Sequence, residues 1–500
     1  MQAKRLPNVV ALTDHDRDVA YTWAELDWRV GKVATVLQDL FTLSHGDRVV
    51  LICENDPRVF ELQFACMRVG VVLVPLNWRL ALPELHTIVA DASPSLVVHD
   101  ETWVDVAAEL ADKANVPKLA WDHAKADADY EELLASAHYL PPQRHLLEER
   151  THILYTSGTT GLPKGAISTH GTLLWQSINL SHLSRMDASA HMLNPLPLFH
   201  AGGLLTQAMP ILQYGGQITT MRRFQPEAML AKLRDSVVPV THLSMIPMMY
   251  ADIASQPGFG ELDLSALRCA IVAGAVASPE LLEQWAQRGA SMQPQYGGTE
   301  MGPCALALDV ARLDKAKLGS QGLPPVHTEL RLVDPNTGNV TDPRLGGEIV
   351  LRGPSITPGY WGRPLDEARD EDGWFHTGDI AWQDEDGYYY FSGRAKEMYK
   401  SGGENVHPAE VELVLVNHPD IAELAVIGVP DEKWGEVGLA VVVPVEGHAP
   451  TLQSVQEFGV ERLARYKLPA AMVLVEELTR NVTGKVSRSE LRDLYVRGEL

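Results

Sequence analysis

Cysteine is scarce: four residues in a chain of 500, at positions 53, 66, 269 and 304, with no CxxC spacing. In a chain this long that excludes a disulfide framework and fits a reducing, intracellular compartment. Positive charge is also short. The formal net charge is −23, so neither duplex nucleic acid nor an anionic membrane is an expected partner, because both need clustered Lys and Arg. No run of eighteen apolar residues occurs, and the stretch "GLLTQAMPIL" is broken by Gln207 and Pro210, so no integral membrane segment is expected. The start, "MQAKRLPNVVALTDHD", lacks the apolar core of a signal peptide. Repeats and low-complexity tracts are missing too. The expected setting is the cytoplasm, with at most peripheral membrane contact.

What is present is an ordinary globular composition, 45% hydrophobic and 21% charged. Five hundred residues exceed what one core organises, so at least two domains are expected. Residues 48–100 alternate apolar strands with amphipathic helices: "RVVLIC", then "RVFELQFACMRVG" ended by Gly70, "VVLVPLN", "LPELHTIVADA" and "SLVVHD". That alternation predicts a mostly parallel sheet covered by helices. It returns at "CAIVAGA" and "SPELLEQWAQRGA", where Ser278 and Pro279 suit the helix cap and first turn. After residue 340 the pattern changes to hairpins, with the "GGE" of 346–348 reading as a plain turn. From about residue 397 a compact unit follows: a helix at "HPAEVELVLVNHP", strands at "IAELAVIGVPD" and "LAVVVPV", and a helix through "SVQEFGVERLARY". The expected fold class is α/β, with a large N-terminal domain over 1–395 and a small α+β C-terminal domain over 396–500.

One stretch carries the chemistry. "YTSGTTGLPKG" at 155–165 places two loop glycines, four hydroxyl side chains and a lysine directly after an apolar strand. Gly158 and Gly161 allow positive φ and close backbone approach, so successive N–H groups can converge on an anion. Thr156, Ser157, Thr159 and Thr160 add hydroxyl donors, and Lys164 adds charge. It is not a Walker A loop, which needs Ser or Thr after the lysine, where this chain has Gly165. Taken alone, a Ser/Thr/Gly cluster is usually a surface turn. Four more motifs follow in order: "YGGTE" at 296–300, "TGD" at 377–379, "GRAKEMYKSGGENV" at 393–406 and "NVTGKVSR" at 481–488.

Together these five motifs resemble the signature set of the adenylate-forming enzymes, which include acyl- and aryl-CoA ligases, luciferases and peptide-synthetase adenylation domains. The resemblance covers nearly the whole chain. It implies a two-step reaction in which a carboxylate joins the α-phosphate of ATP, pyrophosphate leaves, and a thiol then displaces AMP. Bringing two anions together requires cations, so each motif has an implied task. The loop Thr156–Lys164 would hold the β- and γ-phosphates. Glu300 would ligate Mg²⁺, a hard cation suited to oxygen, and Thr299 would touch the α-phosphate. Tyr296 and Gly297, with the backbone of Gly274, Ala275 and Val276, resemble the adenine slot. Asp379, an acceptor only when ionised, and Arg394 would take the ribose diol. Lys485 would bridge carboxylate and α-phosphate. Lys396 matches the hinge about which the small domain turns, after which Lys400, Ser401, Gly402 and Gly403 form the CoA passage. His200, in "PLPLFHAGG", matches a residue lining the acid and thiol passage.

The acid pocket implied by counting from these motifs contains His200, Gly202, Thr206, Gly298, Pro303 and Cys304. Three departures from the family surround it: Gly298 where relatives often carry Met, Pro294 where many have Gln, and "AGAV" at 273–276 in place of Gly-Gly-Ala-Pro. Members that activate amino acids place an Asp to hold the substrate ammonium, and "SVVPVTHLSMI" from Ser236 offers none. "VPDEKWGE" at 429–436 resembles a loop of CoA-forming members. The reading is therefore an ATP-dependent acid–CoA ligase using Mg²⁺, with a feruloyl- or cinnamoyl-type aryl acid favoured. A medium-chain fatty acid is the alternative, and a carrier-protein-loading adenylation enzyme, a luciferase-like oxygenase or a binding-only protein are more distant ones. Homodimerisation is left open by the sequence.

Overall fold

The computed structural model describes residues 1–17, 19–121, 130–156, 163–235, 237–312, 314–364, 367–402, 404–480 and 485–500. Ser157, Gly158, Thr159, Thr160, Gly161 and Gly403 lie outside them, so most of the expected phosphate loop and one glycine of the expected CoA passage are not described. The chain divides into two compact units. The first holds residues 1–318, 322–329 and 351–375, and the second holds 319–321, 330–350 and 376–500.

The first unit contains two sheets. Six strands are ordered Lys118–Ala120, Leu96–His99, Arg48–Ile52, Val72–Pro75, Arg150–Thr156 and Lys164–Thr169. Neighbouring strands pair in parallel except the last two, a hairpin whose register sets Thr156 against Lys164. The "RVVLI" strand shows why its neighbours are apolar on both sides. Val49 and Leu51 pack into one core, Val50 and Ile52 into another, and all four are at most 2% exposed. Alternate side chains of a strand leave by opposite faces, so a sheet covered on both sides needs an unbroken apolar run. Gly70 ends the helix Arg58–Val69 with φ +73°, as the sequence predicts.

The second sheet runs Leu306–Ala307, Met292–Tyr296, Cys269–Val272, His242–Met245, His191–Asn194, Gln217–Thr220, Val10–Asp14 and Val19–Thr22. The first and last pairings are antiparallel and the others parallel. Ser278 caps the helix Pro279–Ala286, its side chain accepting from the Leu281 N–H.

In the second unit, strands Tyr399–Ser401, Glu404–Val406, Ile421–Asp431, Gly435–Pro444 and Ala471–Leu474 form a five-stranded sheet, backed by the helices Pro408–Leu415 and Leu452–Gly459. The hairpin of Asp379–Gln383 against Tyr389–Arg394 belongs to the same unit. Two local expectations are corrected. The helix expected through Tyr466 stops at Gly459: Leu468 and Leu415, 2.6 and 2.9 Å from where a Cβ would sit, leave room only for glycine there, and glycine disfavours continuation. The "GGE" at 346–348 is not a plain turn: Gly347 opens a strand, and Glu348 is 8% exposed with partners described below. No helix among the described residues is long and apolar enough to cross a membrane.

Two buried histidines make the first unit acid-sensitive. Burial lowers His152 from 6.5 to about 3 and His242 from 6.5 to about 4. Both are therefore neutral when folded, whereas the unfolded chain takes up protons below 6.5. Stability is full above pH 6.5 and is lost as pH falls toward 4, with each histidine removing about 1.4 kcal/mol per pH unit at most. Urea midpoints measured from pH 7 to 4 should fall across that window. A flat profile would contradict the burial of both rings.

Candidate active site

In the first unit, three side chains drawn from three segments meet. The strand Arg150–Thr156 delivers the Thr156 hydroxyl, which donates to Glu300 Oε1 at 2.9 Å. Glu300 sits in a single 3₁₀ turn, Thr299–Met301, and its carbonyl accepts the Thr357 N–H at 2.9 Å. Tyr360 donates its phenol to the same Oε1 at 3.3 Å. Burial first, then the Glu300 charge, raises the Tyr360 pKa, so the phenol stays neutral and can donate. Both hydrogen bonds fall on Oε1, and among the described residues none is donated to Oε2. Such an oxygen suits a hard cation.

Lys164 heads the neighbouring strand with its ammonium 2.8 Å from Glu367 and 5.1 Å from the centre of the Tyr360 ring. Arg363 joins Glu367 at 2.7 Å, and the hydrogen bond from Lys164 leads in lowering the Glu367 pKa. A phosphate at Lys164 would compete with that carboxylate. Tyr360 and Glu367 were not singled out in the sequence. The only local sign was "PGYWGRP", aromatics set among turn residues.

Gly297 is a glycine by necessity. A Cβ there would lie 1.9 Å from Pro303 O, so the chain can fold back beside Tyr296 only without a side chain. Gly298 differs: its Cβ would find Met301 Cε at 3.4 Å and Glu300 Oε2 at 3.8 Å, ordinary contact distances. Thr299 stands beside Glu300 in the same turn. Cys304 is buried, which raises its thiol pKa, and its Sγ lies 3.7 Å from Leu306 O.

His200 and Gly202 are neighbours, with the Gly202 N–H donating to His200 Nδ1 at 3.2 Å. Gly202 opens a π-helical turn to Thr206, whose hydroxyl is buried and bonded to Ala201 O at 3.2 Å. That bond turns Thr206 back on its own helix. Gly274, at φ +87°, begins the link from Cys269–Val272 to the helix Pro279–Ala286. Gly274 and Ala275 are exposed there, and Val276 is half-buried.

In the second unit, Asp379 and Arg394 pair across the hairpin, with Arg394 Nε 3.3 Å from Asp379 Oδ1. Asp379 is 4% exposed. Glu348, missed in the sequence because it lies 30 residues upstream, anchors this turn. Its Oε1 accepts the Gly378 N–H at 2.9 Å, and its Oε2 lies 3.1 Å from His376 Nδ1. The Thr377 hydroxyl donates to Ile349 O at 2.8 Å, closing the hold on the loop.

Lys485 reaches the same pair of charges. Its side chain is solvent-accessible, yet the protein crowding its ammonium lowers its pKa from the ordinary lysine value. The Arg394 cation adds to that lowering and the Asp379 carboxylate opposes it. Lys396 is exposed in the turn directly after Arg394. Lys400 is exposed and its N–H donates to Glu436 at 3.1 Å, Ser401 is buried, and the Gly402 N–H donates to Trp434 O at 2.9 Å.

A carboxylate held by two hydroxyls, with a lysine nearby, in one unit, and an Asp–Arg–Lys group in the other, follow the order of the five motifs. The AMP-binding enzyme family model matches residues 1–361, and that of the AMP-binding enzyme C-terminal domain matches 410–485. The chain belongs to the AMP-binding enzyme family. It is 38% identical to a feruloyl-CoA synthase of Amycolatopsis sp over 477 residues, 95% of this chain and 94% of that protein. It is 36% identical to the indoleacetate–CoA ligase of Aromatoleum aromaticum, over 98% and 96% of the two chains. The crystal structure of ATP-bound MatB from Rhodopseudomonas palustris superposes with a TM-score of 0.90 at 29% identity, covering 100% of this chain and 99% of that one. The fold is that of an adenylate-forming enzyme, and the protein is an acid–CoA ligase that uses ATP and CoA.

Proposed function

We propose that the acid is an aryl acid of the feruloyl or cinnamoyl type. Support comes from two relatives whose names carry aryl acids and from glycine at 202 and 298, where bulk would narrow a passage. Gly202 has only His200 Nδ1 and Leu196 Cδ1 near its missing Cβ, each at 3.5 Å. Those neighbours offer room and one ring nitrogen but no fixed charge, which suits an uncharged ring body.

The residues take these roles in the proposal. Thr156 to Lys164 cradle the β- and γ-phosphates, Thr299 donates to the α-phosphate, and Tyr296, Gly297 and Gly274–Val276 flank adenine. Glu300, oriented through Oε1 by Thr156 and Tyr360, would hold Mg²⁺, which supplies charge neutralisation when bound. Asp379 and Arg394 hold the ribose. Lys485 places its charge where carboxylate and phosphate oxygens meet, so neither anion repels the other. The carboxylate attacks phosphorus, pyrophosphate leaves, and the CoA thiolate then attacks the acyl carbon and AMP leaves. For the second step the segment 396–500 turns about Lys396, and Lys400 to Gly403 form the thiol passage. Lys396 sits in an exposed turn with no strand pairing to break, which supports that role. The four cysteines are buried free thiols, which supports a cytoplasmic setting.

Pyrophosphate release, with and without CoA, across ferulate, cinnamate, octanoate and butyrate tests the substrate. The two aryl acids should exceed octanoate in kcat/KM by roughly tenfold or more. The reverse order would assign the medium-chain fatty acid instead. Gly298→Met extends a side chain past Met301 and Glu300, so it should penalise the methoxylated acid most, by about 1–3 kcal/mol per excluded group. An unchanged preference order would remove residue 298 from the acid pocket while leaving the ligase assignment intact.

A further inference from the structure

Residues 137–149 form an irregular strap between the helix Tyr130–Ser136 and the strand Arg150–Thr156. It is tied down at Leu140, whose N–H donates to Gly31 O at 3.1 Å and whose carbonyl accepts from Arg68 at 2.8 Å. At the strap's end, His145 and Glu149 meet His45, which comes from the turn before Arg48. The three ligand atoms all lie within 4.8 Å of one another. Glu149 Oε2 is 2.7 Å from His145 Nδ1 and 2.9 Å from His45 Nε2. None of these residues takes part in the chemistry proposed above.

The geometry around His145 calls for a cation. Its Nε2 lies 3.1 Å from Arg68 O, an oxygen that can only accept. A neutral imidazole has one N–H and one lone pair. With the N–H on the Arg68 side, the Nδ1 lone pair faces a carboxylate lone pair across 2.7 Å. With the N–H on the Glu149 side, the Nε2 lone pair faces the Arg68 carbonyl instead, so either neutral tautomer leaves one contact that a proton or a metal ion would relieve.

Each donor is also held by a further contact. Glu149 Oε1 accepts the Leu146 N–H at 2.9 Å. His145 stacks on the His170 ring at 5.1 Å with 12° between planes, and the His170 N–H donates to Glu149 O. The His45 ring lies against Gly70, where a Cβ would be 2.4 Å from its Cδ2. Supporting contacts of this kind orient ligands for a metal.

We propose that His45, His145 and Glu149 bind one divalent transition-metal ion of the zinc class, with water in the fourth position. Two imidazoles and a carboxylate favour Zn²⁺, Co²⁺ or Ni²⁺ over Mg²⁺ or Ca²⁺, which take oxygen donors. Metal–ligand bonds near 2.0–2.2 Å in a tetrahedron place the donors about 3.3 Å apart. The two gaps to Glu149 must therefore open by roughly half an ångström, and the two imidazoles, set within 4.8 Å of each other, must settle near the same spacing; His45, on an exposed turn beside Gly46, has room to move. The bound ion fastens the strap to the turn at His45, across 104 residues of chain.

The test uses the full chain, stripped with chelator and then titrated with Zn²⁺ by calorimetry and with Co²⁺ by visible absorption. One ion per chain, a tetrahedral-type Co²⁺ band displaced by Zn²⁺, and a rise in Tm with Zn²⁺ are the expected results. His45→Ala removes an exposed ligand, so it should fold and keep its ligase activity while weakening Zn²⁺ binding by tenfold or more. Glu149→Gln should weaken it likewise. The proposal is overturned if the wild-type protein binds no Zn²⁺, a proton alone then filling the His145–Glu149 gap. It is equally overturned if both variants bind as the wild type does, or if millimolar Mg²⁺ displaces Co²⁺.

Discussion

Lys485→Ala should lower acyl-adenylate formation by roughly 10²–10³-fold while leaving thioester formation from supplied acyl-AMP nearly unchanged. The charge is needed while a carboxylate approaches phosphate. Once the mixed anhydride exists, the second step joins a thiol to a carbonyl and makes no such demand. Pyrophosphate exchange reads the first half-reaction, and CoA consumption with synthetic acyl-AMP reads the second. Equal loss in both would show that Lys485 serves a general structural purpose and would overturn the role proposed for it. Because crowding and Arg394 lower the Lys485 pKa, the alkaline limb of kcat/KM for ATP should fall below the ordinary lysine range. Lys485→Arg, whose charge persists at any accessible pH, should remove that limb even where its longer fork reduces the rate.

Asp379→Asn should raise KM for ATP by about 10- to 100-fold, the usual cost of losing a hydrogen bond to a charged group. It also tests the group of charges as a unit. The Asp379 carboxylate stabilises the charged form of Lys485, whereas Arg394 opposes it. Removing the carboxylate leaves two cations facing each other, so the Lys485 pKa must fall further. The alkaline limb of the adenylation half-reaction should therefore move to lower pH in the variant. A higher KM with an unmoved limb would mean that Asp379 binds ribose without influencing Lys485. A moved limb with unchanged KM would mean the reverse.

Much of the fold was legible in the chain because its signals are local. The run of 49–52 had to be apolar at every position to serve two cores, and Gly70 and Ser278 marked helix ends through their own backbone needs. The helix expected through Tyr466 was misread because its true end depends on Leu415 and Leu468 packing over Gly459, a contact that periodicity does not register. Glu348 was passed over for a similar reason: its work is done on Gly378 and His376, while its own neighbours look like a turn.

The chemical alphabet of the site was set by the sequence alone. Residues such as Thr156, Lys164, Glu300, Asp379, Arg394 and Lys485 sit in short motifs, and their side chains carry the charge and hydrogen-bonding capacity that the roles proposed for them need. What only tertiary structure decided is which partners orient them. Thr156 reaches Glu300 across 144 residues, Lys164 reaches Glu367 across 203, and His45 reaches Glu149 across 104. Side chains so far apart in the chain meet only after sheets and helices have packed, because hydrophobic burial places the backbone without reading the polar groups that it carries to the surface.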